Sequence, residues 1–304
     1  EGRGEAAVDA FQRATDGDPE RVERWLNLAR AQAGAGDQSG ARASALRARA
    51  LQPNAPPVLQ TLAQIELELG NLDAARTAAR ALQTAAPRQA QGFQIEGDVS
   101  AREGDWRDAD RLYVAAYERE PAFAAAFRSY QARRQGDIAE PAAMLARWVQ
   151  VTPNDTRARL IVAQQLQAAG HYPAAVREYE AVISRDADNV VALNNAAWLL
   201  GEQGEYARAL EHARRALAVA PEVAPVLDTY GWILVQSGRV NEGLGYLERA
   251  VARAPAAPDL RFHLGSAQVT AGQPQAARET LTQLLAQNPD YARRDEAQRL
   301  LDGL

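Results

Sequence analysis

Between residues 90 and 123 the apolar positions fall into two short runs of helical spacing, separated by a polar break. Phe93, Gly97 and their apolar neighbours recur at the three-and-four step that puts one face of a helix against a core. Gly104 and Asp105 interrupt that run. Glycine is suited to the stop because it adopts positive φ without a Cβ clash. Ala109, Tyr113 and Ala116 then resume the same spacing, and Pro121, which has no N–H for the next helical bond, closes it. The pattern predicts a pair of antiparallel helices. Small residues at Gly97 and Ala109 allow a close approach, and Tyr113 fills the space beside them.

The same pair is written along the whole chain. Pro19, Pro53, Pro87 and Pro121 stand 34 residues apart, and the series resumes at Pro221, Pro255 and Pro289, with Ala187 on one missing beat. Gly2, Gly36, Gly70 and Gly104 keep the same step, as do Gly136, Gly170, Gly204, Gly238 and Gly272. Only the interval from Gly104 to Gly136 is shorter, by two residues. A fixed period of this length marks a solenoid of stacked supersecondary units rather than two ordinary globular domains.

The residues carrying the beat resemble the tetratricopeptide repeat (TPR), whose pattern runs W-x2-L-G-x2-Y, then A-x3-F, then P. Ala7, Phe11 and Ala14 before Pro19 follow its second half, and Leu227, Tyr230, Gly231, Leu234 and Gly238 its first. The resemblance covers essentially the whole chain. It implies an all-α, right-handed superhelical solenoid of stacked antiparallel helix pairs. The repeats run 22–55, 56–89, 90–123, 124–155, 156–189, 190–223, 224–257 and 258–291. Residues 1–21 are expected to hold the second helix of a truncated first repeat, and 292–304 a C-terminal capping helix. Residues 1–4 fall at the turn of a repeat whose partner helix would lie upstream, so the chain is expected to be a piece of a longer protein. The short repeat 124–155 carries Pro141, expected in the first turn of its second helix, where proline is tolerated. Trp148 there replaces a small residue. Either superhelix curvature changes at this repeat, joining two subarrays, or the repeat has simply drifted.

Composition narrows the functional classes. The net charge is −5, which argues against a nucleic-acid partner, since phosphate binding needs a basic face. There is no Cys, hence no thiol nucleophile, disulfide or thiolate metal site. All 34 basic residues are Arg, which excludes Schiff-base lysines and P-loop chemistry. His171, His212 and His263 lack metal-ligand spacing. Gly34, Gly36 and Gly40 only approximate a dinucleotide loop and follow no strand. No enzyme activity, cofactor or metal is expected, and no apolar run approaches the roughly 20 residues that cross a bilayer.

In TPR proteins the first helices line a concave groove, and a few places per repeat point into it. The resemblance carries these onto Asn194, Asn195, Trp198 and Glu202, then Asp228, Thr229, Trp232 and Gln236, then Phe262, His263 and Ser266. Earlier repeats contribute Asn27, Arg30, Gln60, Gln64, Gln94, Asp98, Arg157 and Gln164. Trp198 and Trp232 are one repeat apart. They are either binding anchors or core beneath adjacent helices. The TPR carboxylate clamp needs Lys beside Asn. With no Lys, and with Asp228 in the groove, the sequence argues against it.

The runs Asn194–Leu200, Asp228–Leu234 and Arg261–Leu264, with Gly243-Leu244, Glu96-Gly97-Asp98 and Arg147-Trp148, resemble the C-terminal part of large bacterial TPR lipoproteins of exosortase (PEP-CTERM) and exopolysaccharide systems. That resemblance implies a non-catalytic scaffold in the periplasm or cell envelope. Its partners would be export or synthase proteins, or a polysaccharide, with membrane attachment only through an anchor outside this chain. The alternative is a cytoplasmic TPR adaptor or regulatory module that binds a peptide segment of a partner.

Overall fold

The computed structural model describes residues 2–304, all of whose regular structure is α-helical. Glu1 lies outside the described residues. The backbone is already helical from Gly2, where a turn was expected.

The chain divides into two compact units, residues 1–152 and 153–304. The first contains α1 (Gly2–Gly17), α2 (Val22–Gly34), α3 (Gln38–Leu51), α4 (Pro56–Glu68), α5 (Leu72–Ala85), α6 (Gln91–Arg102), α7 (Trp106–Arg119), α8 (Phe123–Gln135) and α9 (Ala143–Val151). The second contains α10 (Thr156–Ala168), α11 (Tyr172–Ile183), α12 (Val190–Glu202), α13 (Tyr206–Val219), α14 (Ala224–Gln236), α15 (Val240–Arg253), α16 (Pro258–Thr270), α17 (Pro274–Gln287) and α18 (Arg294–Asp302). Within each unit every helix packs on the next. First helices of neighbouring repeats also touch, as α4 does α6 and α14 does α12 and α16. This is the stacked-pair architecture of a TPR solenoid.

The glycine beat has a uniform cause. Gly36, Gly70, Gly104, Gly170, Gly204, Gly238 and Gly272 all take φ between 69° and 86°, the left-handed turn that reverses the chain from first helix to second. Gly136 departs from the series with φ −89°, and Asp137 and Glu140 carry the positive φ instead. Pro141 also departs from expectation. It precedes α9, which begins only at Ala143 and has 9 residues where α7 has 14. The two missing residues and the displaced turn have cost the second helix of this repeat its opening turns.

The second beat is one of size. Ala41, Ala75, Ala109, Ala175, Ala209, Gly243 and Ala277 occupy the same place in their second helices, and all are buried. Only a small side chain fits where the two helices of a pair come closest. A Cβ on Gly243 would lie 2.5 Å from the Gly231 carbonyl oxygen. Around these contacts lie fully buried leucines such as Leu62, Leu112, Leu200 and Leu227. Each contributes about 1.5–3 kcal/mol by leaving water.

A third regularity ties one repeat to the one before. The Arg215 guanidinium donates to the Ala187 carbonyl at 2.8 Å, and Arg249 to the Pro221 carbonyl at 3.1 Å. Arg119 reaches the Pro87 carbonyl in the same way at 2.8 Å. The acceptors stand on the proline beat, and in each case the donor lies on the second helix of the following repeat.

Candidate functional site

The second unit concentrates its chemistry on α12, α14 and α16. The Asn189 side chain caps α12 by accepting from Ala192 N, while Pro225 and Pro258 sit in the first turns of α14 and α16. The three helices therefore start in the same phase, so residues 34 apart come side by side.

His263 is the centre of the arrangement. Its Nδ1 lies 3.0 and 2.9 Å from the two carboxylate oxygens of Asp228, and both side chains are buried. An ionised carboxylate only accepts, so the neutral imidazole carries its proton on Nδ1. The ring stacks on Trp232, with centroids 4.7 Å apart and planes 18° apart. It also meets Trp198 at 5.4 Å and 34°. Both indoles are half-buried, each packed against a hydrophobic cluster that its own repeat shares with its neighbours. Three successive repeats thus meet at one imidazole. Burial pushes the Asp228 carboxyl above the usual carboxylate range, opposed by the bond and charge of His263.

The placement of the expected groove residues needs correcting at four positions. Phe262, at 1% exposure, is core: it packs with Leu281, Leu284, Leu285 and Ala297. The Arg293 guanidinium covers its ring at 3.8 Å, with Arg293 held by both oxygens of Glu296. Thr229, Asp228 and His263 are likewise buried, at 3%, 6% and 4% exposure. None of the four offers the open contact surface expected of it. Asn195 is half-buried and donates to the Tyr179 hydroxyl at 3.1 Å, which donates in turn to Gln167. Asn194 is half-buried, and its Oδ1 is enclosed without a donor. Arg157, beside Asp155, and Gln164 are exposed on α10, apart from the aromatic cluster. Trp198 and Trp232 each pack on core, and each is half-buried rather than enclosed.

In the repeats 22–55, 56–89 and 90–123 the place equivalent to Trp198 is polar, occupied by Arg30, Gln64 and Asp98. Arg30 donates to the Thr61 hydroxyl at 3.3 Å. With Asn27 it borders a cleft of about 230 Å³ floored by Val22, Leu26, Pro57 and Val58. Asp98 accepts from the Tyr113 hydroxyl at 2.8 Å and pairs with Arg128 at 3.3 Å. Burial pushes the Asp98 carboxyl up despite Arg128, and it raises the Tyr113 phenol as well. Sequence reasoning missed Tyr113 and Arg128 as partners of this acid. It also missed the α8 row in which Phe123 stacks on Phe127 at 5.5 Å and Phe127 meets Tyr130 at 5.9 Å. The spacing of 123, 127 and 130 was the available signal. Among the described residues no cluster of His, Cys, Asp and Glu could hold a metal ion, and no helix is long and apolar enough to cross a membrane.

Comparison with known proteins gives a consistent family signal. Two family models, each described as tetratricopeptide repeat, match the chain, one over residues 1–56 and 163–224 and the other over 234–301. Together they take in more than half of it. A stretch of 117 residues, 38% of the chain, is 32% identical to cellulose synthase operon protein C of Xanthomonas axonopodis pv. citri (strain 306), and spans 7% of that protein's length. Among solved structures, the APC/C hetero-tetramer Cut9-Hcn1 aligns with 98% of this chain and 58% of the other at 13% identity and a TM-score of 0.52. Naa15/Naa10 bound to HypK-THB aligns with 92% and 44% at 16% identity and a TM-score of 0.59. At such identities the two structures speak to the fold alone.

Proposed function

We propose, from the premise that this chain belongs to the tetratricopeptide repeat family, that it is a non-catalytic scaffold of a bacterial polysaccharide synthesis and export assembly. It captures a protein partner on the α12–α14–α16 face. The observation that carries this reading is the pair Trp198 and Trp232. Two large aromatic side chains on adjacent repeats are held rigid by core packing and by a shared imidazole, with part of each ring left in solvent. Rigid, partly exposed indoles supply much contact area at little cost in rotamer freedom, the usual property of interface anchors. The local identity with cellulose synthase operon protein C supports the polysaccharide setting, and with it a location in the cell envelope.

A photo-crosslinking residue at Gln236, one turn beyond Trp232, tests the proposal in the native cell. The expected adducts contain a protein of the polysaccharide assembly and disappear in a Trp198→Ala/Trp232→Ala chain. A crosslinker at Glu211 on α13 serves as the control face. If the double variant keeps its helical signal and forms the same adducts as wild type, the proposal is wrong.

A further inference from the structure

We propose that Asp228 and His263 form a proton-operated latch that sets how the indoles of Trp198 and Trp232 are held, so that the binding face of the second unit responds to pH. This rests on the reading of those indoles as the binding face, but the latch itself is argued from the buried pair.

Tryptophan placement on this face does not by itself require a histidine. The repeat pattern is content with small or aliphatic residues beneath a first helix, and neighbouring repeats have Asn195 and Thr229 where the third has His263. The imidazole does something those residues cannot. It joins Asp228 on α14 through Nδ1 and touches Trp232 on α14 and Trp198 on α12 with its ring, while belonging to α16. It is the side chain through which the two indoles share a contact. Histidine is also the residue whose ordinary titration lies in the physiological range.

The two protonation states hold the rings differently. In the neutral state Nδ1–H is donated to the Asp228 carboxylate, and the stack on the indoles joins uncharged rings. When a proton from solvent adds at Nε2, the ring becomes a cation within cation–π distance of both indoles and forms an ion pair with Asp228. One proton thus changes the attraction among three helices at once.

The charged groups that α12, α16 and the segment into α18 bring near the pair have partners of their own. From α12 the nearest groups are the uncharged Asn194 and Asn195, with Glu202 a turn beyond Trp198 and bonded by Gln236 at 3.3 Å. From α14 comes Asp228 itself. From α16 come Asp259, engaged by the Tyr291 hydroxyl at 2.8 Å, and Arg261, engaged by Gln287. From the segment leading into α18 come Arg293 and Glu296, which pair with each other. The charge of His263 reaches Glu296, and that of Asp259 reaches Asp228. Apart from Asp228, each of these charged groups is bonded to a partner other than His263.

The chain has only three histidines, which makes the test direct. In a His171→Gln/His212→Gln background the remaining imidazole is followed by NMR against pH while tryptophan emission is recorded on the same samples. Expected are the Nδ1–H tautomer at high pH, a change in the imidazole signals on acidification, and an emission change sharing its midpoint. In His263→Phe, which keeps an aromatic ring in the stack but cannot take a proton, the emission change is lost. Should that variant fail to fold, Trp198→Phe/Trp232→Phe removes the reporters and must also abolish the change. The latch is overturned if the imidazole does not titrate in the folded chain, if emission ignores its titration, or if either variant keeps the wild-type profile. No partner enters the experiment. Its failure therefore leaves partner capture standing, and failed crosslinking leaves the latch standing.

Discussion

Replacing Gly243 by Ala adds one methyl group at the closest approach of α14 and α15. The new Cβ would lie 2.5 Å from the Gly231 carbonyl oxygen, 2.6 Å from Val235 Cγ2 and 3.1 Å from Val235 N. Two of these neighbours are backbone and the third is a β-branched side chain with little rotamer freedom. The helices must separate, because no flexible group can yield. Overpacking of this kind costs about 1–3 kcal/mol, and the rigid surroundings argue for the upper part of that range. Against it stands the better helix propensity of Ala, worth about 1 kcal/mol. The net loss is about 1–2 kcal/mol, or roughly 2–8 °C in melting temperature for a unit of this size. Gly245→Ala is the matched control: same helix, exposed, with nothing within 4 Å of the added Cβ. There only the propensity gain remains, so the melt should rise by a few degrees, on the order of 0.5–1 kcal/mol. Thermal unfolding followed by far-ultraviolet circular dichroism distinguishes the two. Adding Gly231→Ala to Gly243→Ala should cost less than the sum of the single losses, since helices already apart have room for a second methyl. The packing argument fails if Gly243→Ala melts at or above wild type, or if both alanines lower the melt equally.

Three further outcomes follow from the same structure. Phe262→Ala should destabilise the second unit by about 3–5 kcal/mol, as expected for a core phenylalanine, and a denaturant titration reading under 1 kcal/mol would return Phe262 to the surface. Burial raises the Asp98 carboxyl above its unfolded value, so its contribution to stability is full at low pH and declines as pH rises through the folded value. Asp98→Asn lacks that decline, and melts taken from acid toward neutrality should show the variant gaining on wild type; a constant difference would refute this. Glu140 holds φ 53° without being glycine, whereas Gly204 holds φ 76° in open space. Glu140→Gly should therefore be neutral to mildly stabilising, while Gly204→Ala should cost about 1–2 kcal/mol; thermal melts with the opposite order would contradict the left-handed-turn account.

The stacked pairs were legible because each beat has a local cause. Glycine at the left-handed turn and a small residue at the helix crossing are requirements of backbone and volume, and both appear in the letters. Pro141 falls outside the helix expected to hold it because a two-residue deletion shifts where the turn falls, and the period alone does not say which residue absorbs it. Among the site residues, the pairing of Trp198 with Trp232 follows from the period. The Asp228–His263 bond spans 35 residues, one repeat plus one, so a diagonal between neighbouring first helices could have been sought. The burial of Phe262 was not legible. It depends on Arg293 and the α18 residues folding over that place, and no rule internal to a repeat anticipates a cover from outside it.

The arginine contacts to the proline beat bear on how such an array tolerates inheritance. Arg249 binds the carbonyl of Pro221, and Arg215 binds the carbonyl of Ala187, where the beat has lost its proline. A main-chain oxygen is present whatever side chain the codon specifies. The acceptor side of the tie is therefore immune to substitution, and only the donor is exposed to it. A repeat can drift at its most recognisable letter and remain fastened to its neighbour.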